Sequence, residues 1–128
     1  MAIWKAVKEF MKRNFNAEIE EKFITVDLPT SHKRSQQVIM ALIEEENGER
    51  WIQFLSPIGA NYQFEIDKIL NYAGVFTCGG VVSLNGRLYL KHSTPIDDLS
   101  EDELVKPLTK LAYYADELEM KFIGGDEH

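Results

Sequence analysis

Two Asn-Gly dipeptides, Asn47-Gly48 and Asn85-Gly86, constrain this chain more than any other feature. Both residues readily take positive φ, as the type I′ turn of a two-residue β-hairpin requires, and each dipeptide is flanked by runs rich in β-branched and aromatic residues. Residues 34–46 and 49–56 therefore read as one hairpin, and residues 76–84 and 87–93 as a second. A two-residue turn also fixes register, so the side chains on each face can be computed. In the first hairpin Glu46 opposes Glu49 and paired numbers sum to 95; in the second, paired numbers sum to 171.

The remaining elements follow from periodicity. Ile3, Val7, Phe10 and Met11, with Trp4 alongside, recur at helical spacing and predict an amphipathic helix over residues 2–14. Residues 23–28 (Phe-Ile-Thr-Val-Asp-Leu) read as a strand ended by Pro29-Thr30-Ser31. Ile66, Ile69, Leu70 and Ala73 mark a second helix, which Gly74 can end in the left-handed conformation. Ser100-Glu101-Asp102-Glu103 is a capping box that opens a third helix carrying Leu104, Leu108, Leu111, Ala115, Leu118 and Phe122. Pro107 falls inside that pattern and predicts a kink or a separate first turn. The order is helix, three strands, helix, two strands, helix. Antiparallel strands with helices on one side imply an α+β two-layer sandwich. The length, 128 residues, suits a single domain over 1–128, with residues 123–128 as a short acidic tail.

The computed registers divide the first hairpin into two apolar faces. Ile39, Ala41, Ile43, Ile52 and Phe54 share one, expected to lie under helices. Val38, Met40, Leu42 and Glu44 share the other with Trp51, Gln53 and Leu55. A sheet with one wet side should be polar there. Contiguous exposed apolar area of this kind marks an interaction site, with Trp51 as its aromatic anchor. A homodimer covers such a patch with one self-complementary surface. The alternative is cover from within the same chain. In the second hairpin Val81, Leu88 and Leu90 share a face with His92. Val82, Leu84 and Tyr89 share the other with Arg87 and Lys91, and are second candidates for the interface.

Composition and charge exclude several function classes. The apolar fraction is 45% and the charged fraction 27%, as in an ordinary globular domain. The longest apolar run, Val38 to Ile43, is far short of the ~20 residues of a membrane span. Charge interrupts Trp4-Lys5-Ala6-Val7-Lys8-Glu9, so no signal peptide is expected and the expected compartment is the cytoplasm. The net charge is −7, and residues 97–128 hold ten of the 21 acids but three of the 14 bases. Such a balance suits nucleic acid poorly, because affinity for phosphates comes largely from cations. The single cysteine, Cys78, excludes an internal disulfide and multi-thiolate zinc sites. Three histidines, His32, His92 and His128, are scattered in sequence, and no phosphate loop, nucleophile elbow or calcium loop occurs. No metal or cofactor is expected.

Catalytic pairs are no better supported. Cys78 would oppose Ser93 and point away from His92, unless a bulge at Gly79-Gly80 reverses one side chain. Glu44, Glu45, Glu46 and Glu49 cluster at an exposed hairpin tip, and Asp97-Asp98 precede the capping box. Neither group offers the contrasting environments of an acid/base pair.

Several stretches resemble the YbjN-like, type III secretion chaperone-like family: Arg34-Ser35-Gln36-Gln37-Val38, Trp51-Ile52 leading to Ser56-Pro57-Ile58-Gly59, the run from Gly86 to Leu99, and Ala115-Asp116-Glu117-Leu118-Glu119. The resemblance spans about residues 15–122. It implies the helix–three strands–helix–two strands–helix fold and no catalytic residues. It also implies homodimers that hold an extended client segment on apolar surfaces, or a role tied to regulation and stress. Pro107 and Cys78-Gly79-Gly80 depart from the family pattern. The expectation is thus a non-enzymatic, chaperone- or adaptor-like protein-binding domain. It would pair with itself, and with another protein or peptide segment, through Val38, Met40, Leu42, Trp51, Gln53 and Leu55, with Val82, Leu84 and Tyr89 beside them. The alternatives are a regulator of transcription using the basic first helix with Arg87 and Lys91, or a small thiol enzyme using Cys78 and His92.

Overall fold

The computed structural model describes residues 3–31 and 33–123, so His32, His128 and most of the acidic tail lie outside the described residues. Three helices, α1 (Trp4–Asn14), α2 (Ile66–Ala73) and α3 (Glu101–Phe122), accompany six strands. The strands are β1 (Asn16–Ile19), β2 (Phe23–Pro29), β3 (Ser35–Glu44), β4 (Arg50–Ala60), β5 (Gly80–Leu84) and β6 (Arg87–Pro95). They form one antiparallel sheet in the order β1-β2-β3-β4-β6-β5, which confirms the α+β class. Four strands, not three, precede α2. The additional β1 is a four-residue edge strand of sequence Asn-Ala-Glu-Ile. It is short and half polar, as edge strands tend to be, and carries little apolar alternation for a reader of the sequence to find.

All three helices contribute to one hydrophobic cluster, together with the inward side chains of the sheet. Trp4, Val7, Phe10 and Met11 of α1 are buried, and the Trp4 indole Nε1 donates to the Glu21 carbonyl at 2.7 Å, tying the helix to the β1–β2 turn. Lys12 and Arg13 in its last turn complement the helix dipole. Leu104, Leu108, Leu111, Ala115 and Leu118 of α3 are fully buried, one stripe at helical spacing laid over β3, β4 and β6. The capping box at its start is formed in both directions. Glu103 N donates to Ser100 Oγ at 3.1 Å, and Ser100 N donates to Glu103 Oε1 at 2.9 Å. Those hydrogen bonds hold the Glu103 carboxyl below its usual range.

The expected left-handed end of α2 and the separate first turn of α3 do not occur. Gly74 has φ −61°, so α2 ends in right-handed geometry. Pro107 does not divide α3, which runs as one helix from Glu101 to Phe122. Packing of the leucine stripe on both sides of the proline holds the segment helical, although the proline cannot donate to the carbonyl four residues earlier. One turn on, Thr109 Oγ1 donates to the Val105 carbonyl at 2.9 Å.

Two sequence motifs far apart in the chain meet inside this frame. Arg34, entering β3, donates through Nε to Asp116 Oδ1 at 2.8 Å, and its Nη2 lies 2.6 Å from the same oxygen. Asp116 sits on α3 and is 2% exposed. Gln36 Nε2 donates to Ser56 Oγ at 3.1 Å and to the Pro57 carbonyl at 2.7 Å, while Ser56 Oγ donates to the Gln37 carbonyl. The residues that carry the family resemblance thus fasten α3 to the sheet and β3 to β4. Their role here is architectural.

Candidate functional site: the open face of the sheet

The first hairpin does not take the register that a two-residue turn would impose. Met40 pairs with Phe54 and Glu44 with Arg50, so paired numbers sum to 94. The turn explains the slip. Gly48 N donates to the Glu45 carbonyl at 2.9 Å and Glu45 N donates to the Glu49 carbonyl at 2.8 Å, which closes a type I turn followed by a bulge residue. Only Gly48 is left-handed, at φ +89°. Asn47 remains right-handed and its Oδ1 accepts from Glu49 N at 3.0 Å. A three-residue loop of this kind is the next commonest hairpin connection after the two-residue one. The second hairpin keeps the expected turn: Asn85 (φ 52°) and Gly86 (φ 80°) are both left-handed, and Leu84 pairs with Arg87.

A slip of one residue exchanges the faces of β3 relative to β4. Val38 and Met40 are fully buried, and Leu42 is packed against the core beside Ile52. These three are withdrawn from the interface, because they lie under the helices with Ile52 and Phe54. Trp51, Gln53 and Leu55 do face away from the helices, as expected, but their cross-strand partners are Ile43, Ala41 and Ile39. Sequence reasoning assigned those three to the core. Both faces of Val38–Ile43 are apolar, so periodicity could not choose between them and the turn alone decided.

The open face is therefore a rung structure. Thr25, Ile39, Leu55 and Lys91 lie on one rung, Phe23, Ala41, Gln53 and Ser93 on the next, and Ile43, Trp51 and Pro95 on a third. Pro57, Tyr89 and Val82 continue it on the other side. Phe23 is 50% exposed, Ile43 37% and Leu84 44%; Ile39, Trp51, Leu55, Val82 and Tyr89 are half-buried by their neighbours in the sheet. The Trp51 indole nitrogen is 3.4 Å from Glu49 Oε1, so the ring lies on the sheet with its polar atom directed to the hairpin tip. None of the three helices packs on this side; the described helices belong to the cluster on the other. No known protein-family model matches the chain, and no curated protein matches it.

The other candidate centre is a cleft of about 340 Å³ lined by Cys78, His92, Thr94, Glu103, Lys106 and Lys110, with Pro107. Gly79 has φ +86° and β5 begins only at Gly80, so ladder pairing does not extend to Cys78. The chain turn at Gly79 brings thiol and imidazole to one cleft, which the extended pairing had set on opposite faces. No hydrogen bond joins Cys78 and His92 among the described residues, and Cys78 Sγ donates instead to the Pro107 carbonyl at 4.0 Å. Burial pushes the Cys78 thiol up, against a weaker opposing effect of Lys110, and burial pushes His92 down. Both shifts favour the neutral forms, whereas an activated pair requires thiolate beside imidazolium. No group of three or more potential metal ligands occurs among the described residues.

Proposed function

We propose that this chain is a non-enzymatic, protein-docking domain of chaperone or adaptor character that acts in the cytoplasm through the open face of its sheet. One observation carries the reading: Trp51, Ile39, Ile43, Leu55 and Phe23 form a contiguous apolar face that none of the described helices covers. A sheet face left to water is polar at alternate positions, whereas the stretch from Phe23, Ile39 and Ile43 to Trp51 and Leu55 is broken only by Thr25 and Gln53, with Asp27, Ser35 and Gln37 gathered at one end of the face. An aromatic side chain near the centre of such a patch is the usual energetic anchor of an interface. The neutral thiol and imidazole in the cleft argue against the thiol-enzyme alternative. The resemblance to the YbjN-like, type III secretion chaperone-like family agrees with a binding role and is part of the proposal. No helix of the described residues is long and apolar enough to cross a membrane.

Photo-crosslinking in the cell tests the docking surface directly. A benzophenone side chain placed at Gln53, on the open face, is expected to give protein adducts. The same group at Tyr113, exposed on α3 on the far side, is expected to give few. Adducts at Tyr113 and none at Gln53 would contradict the assignment.

A further inference from the structure

We infer that the cleft between β6 and the first half of α3 binds a small phosphate monoester, on the side of the sheet away from the open face. Polar groups without protein partners converge there. His92 pairs with Phe54 and Thr94 with Ile52, both fully buried, so His92 and Thr94 share the helix side of β6. Neither side chain has a hydrogen-bond partner among the described residues. Glu103, Lys106, Pro107 and Lys110 recur at helical spacing and line the cleft from α3. Lys106 has no ion pair among the described residues, and the Glu103 carboxylate one turn away accepts from Ser100 N. Lys110 is held in place by its neighbours. Its Nζ donates to Tyr114 Oη at 3.2 Å and lies 5.1 Å from the centre of that ring. Tyr114 in turn stacks on Phe76 at 4.0 Å and shares a hydrogen bond with Thr77 at 3.1 Å. An ammonium positioned in this way loses less freedom on binding and keeps two of its three donors for a ligand.

The chemistry of the lining selects the ligand. Two cations face one carboxylate that is already committed to the helix cap, a local excess of positive charge in a chain of net charge −7. Lys106 and Lys110 supply charge, while the Thr94 hydroxyl and the His92 ring supply directional hydrogen bonds. No arginine lines the cleft. A planar carboxylate is matched best by the arginine fork, whereas lysine acts as a point charge suited to a tetrahedral phosphate. Cys78 and Pro107 complete the lining and offer apolar surface to the organic part of an ester. A volume of about 340 Å³ lies at the small end of the range for ligand pockets, with room for a phosphate and about one ring.

The test is a titration of the isotope-labelled full chain with phenyl phosphate, inorganic phosphate and benzoate, followed through amide chemical shifts. Phenyl phosphate should shift β6 and the first turns of α3 saturably, with inorganic phosphate and benzoate each about tenfold weaker. Lys106→Gln and Lys110→Gln should each weaken phenyl phosphate about fivefold. Lys5→Gln makes the same change of charge on α1, which packs against β1 at the far edge of the sheet, and should leave binding within about twofold of the parent. Cys78 gives an independent readout. Because the thiol lines the cleft, saturating phenyl phosphate should slow its alkylation by iodoacetamide about threefold or more. Benzoate as tight as phenyl phosphate would overturn the choice of phosphate, and inorganic phosphate as tight would overturn the ester. No saturable shift below about 10 mM, or an equal loss in Lys5→Gln, would overturn the site. Binding that leaves the alkylation of Cys78 unchanged would overturn it as well.

Discussion

Arg34 and Asp116 are 82 residues apart and meet through two contacts to one carboxylate oxygen, with Asp116 almost wholly buried. Removing Asp116 takes both of these contacts from a guanidinium that is largely out of water and leaves it beside Glu119 Oε1 at 3.9 Å, so the costly half of a buried pair is only partly offset. Asp116→Ala should therefore destabilise the fold by about 3 kcal/mol in denaturant titration, and the double replacement Arg34→Leu/Asp116→Leu should recover most of that loss. A double variant as unstable as Asp116→Ala would show that the pair itself, not its isolation, holds α3. Cys78 allows a prediction with a definite sign. Burial raises its pKa, so the thiolate fraction at neutral pH is smaller than that of a free thiol. Alkylation by iodoacetamide should be slower than for a free thiol at pH 7, and should rise with pH only above the range where a free thiol titrates. Faster reaction than a free thiol would revive the enzyme alternative. Neither feature was derivable from the residues alone: Arg34 and Asp116 stood in separate motifs with nothing to pair them, and the cleft exists only because Gly79 turns the chain.

The two hairpins show what a short motif can and cannot fix at the scale of an element. Asn85-Gly86 forms the turn its sequence predicts, and every pair of β5 with β6 follows. Asn47-Gly48 does not, because the Asn47 side chain accepts from Glu49 N and its backbone stays right-handed. The helices, five of the six strands and the capping box were legible because each rests on several residues in period, whereas β1 was missed and β4 and β5 end or begin four residues from where expected. The first register rested on the conformation of one asparagine, and the six apolar residues from Val38 to Ile43 left both faces acceptable. The glycines that hold these turns should differ in their tolerance. A Cβ on Gly48 would meet nothing within 4 Å, so Gly48→Ala carries only the left-handed penalty of about 1 kcal/mol. A Cβ on Gly79 would lie 2.7 Å from Leu111 Cδ1 and 3.1 Å from Leu90 Cγ, at φ +86°. Gly79→Ala should cost at least 1 kcal/mol more than Gly48→Ala, from overpacking added to strain. Equal losses in thermal denaturation would contradict the packing at that turn.

At the scale of the molecule, one sheet separates two apolar surfaces of opposite fate. The side carrying Met40 and Phe54 is closed by three helices of its own chain, and the side carrying Trp51 and Leu55 is not. That asymmetry is the basis of the docking role proposed for this sheet. It also makes the two faces experimentally separable, since a buried charge on the first cannot be solvated and on the second it can. The most direct measurement is sedimentation velocity joined to thermal denaturation of Trp51→Asp and Met40→Asp. Trp51→Asp should keep a cooperative transition close to that of the parent and sediment as a monomer, while Met40→Asp should fail to fold. A Met40→Asp chain that folds as cooperatively as Trp51→Asp would show that the first hairpin pairs in the other register, which sets Met40 beside Trp51, and that the open face carries the wrong residues.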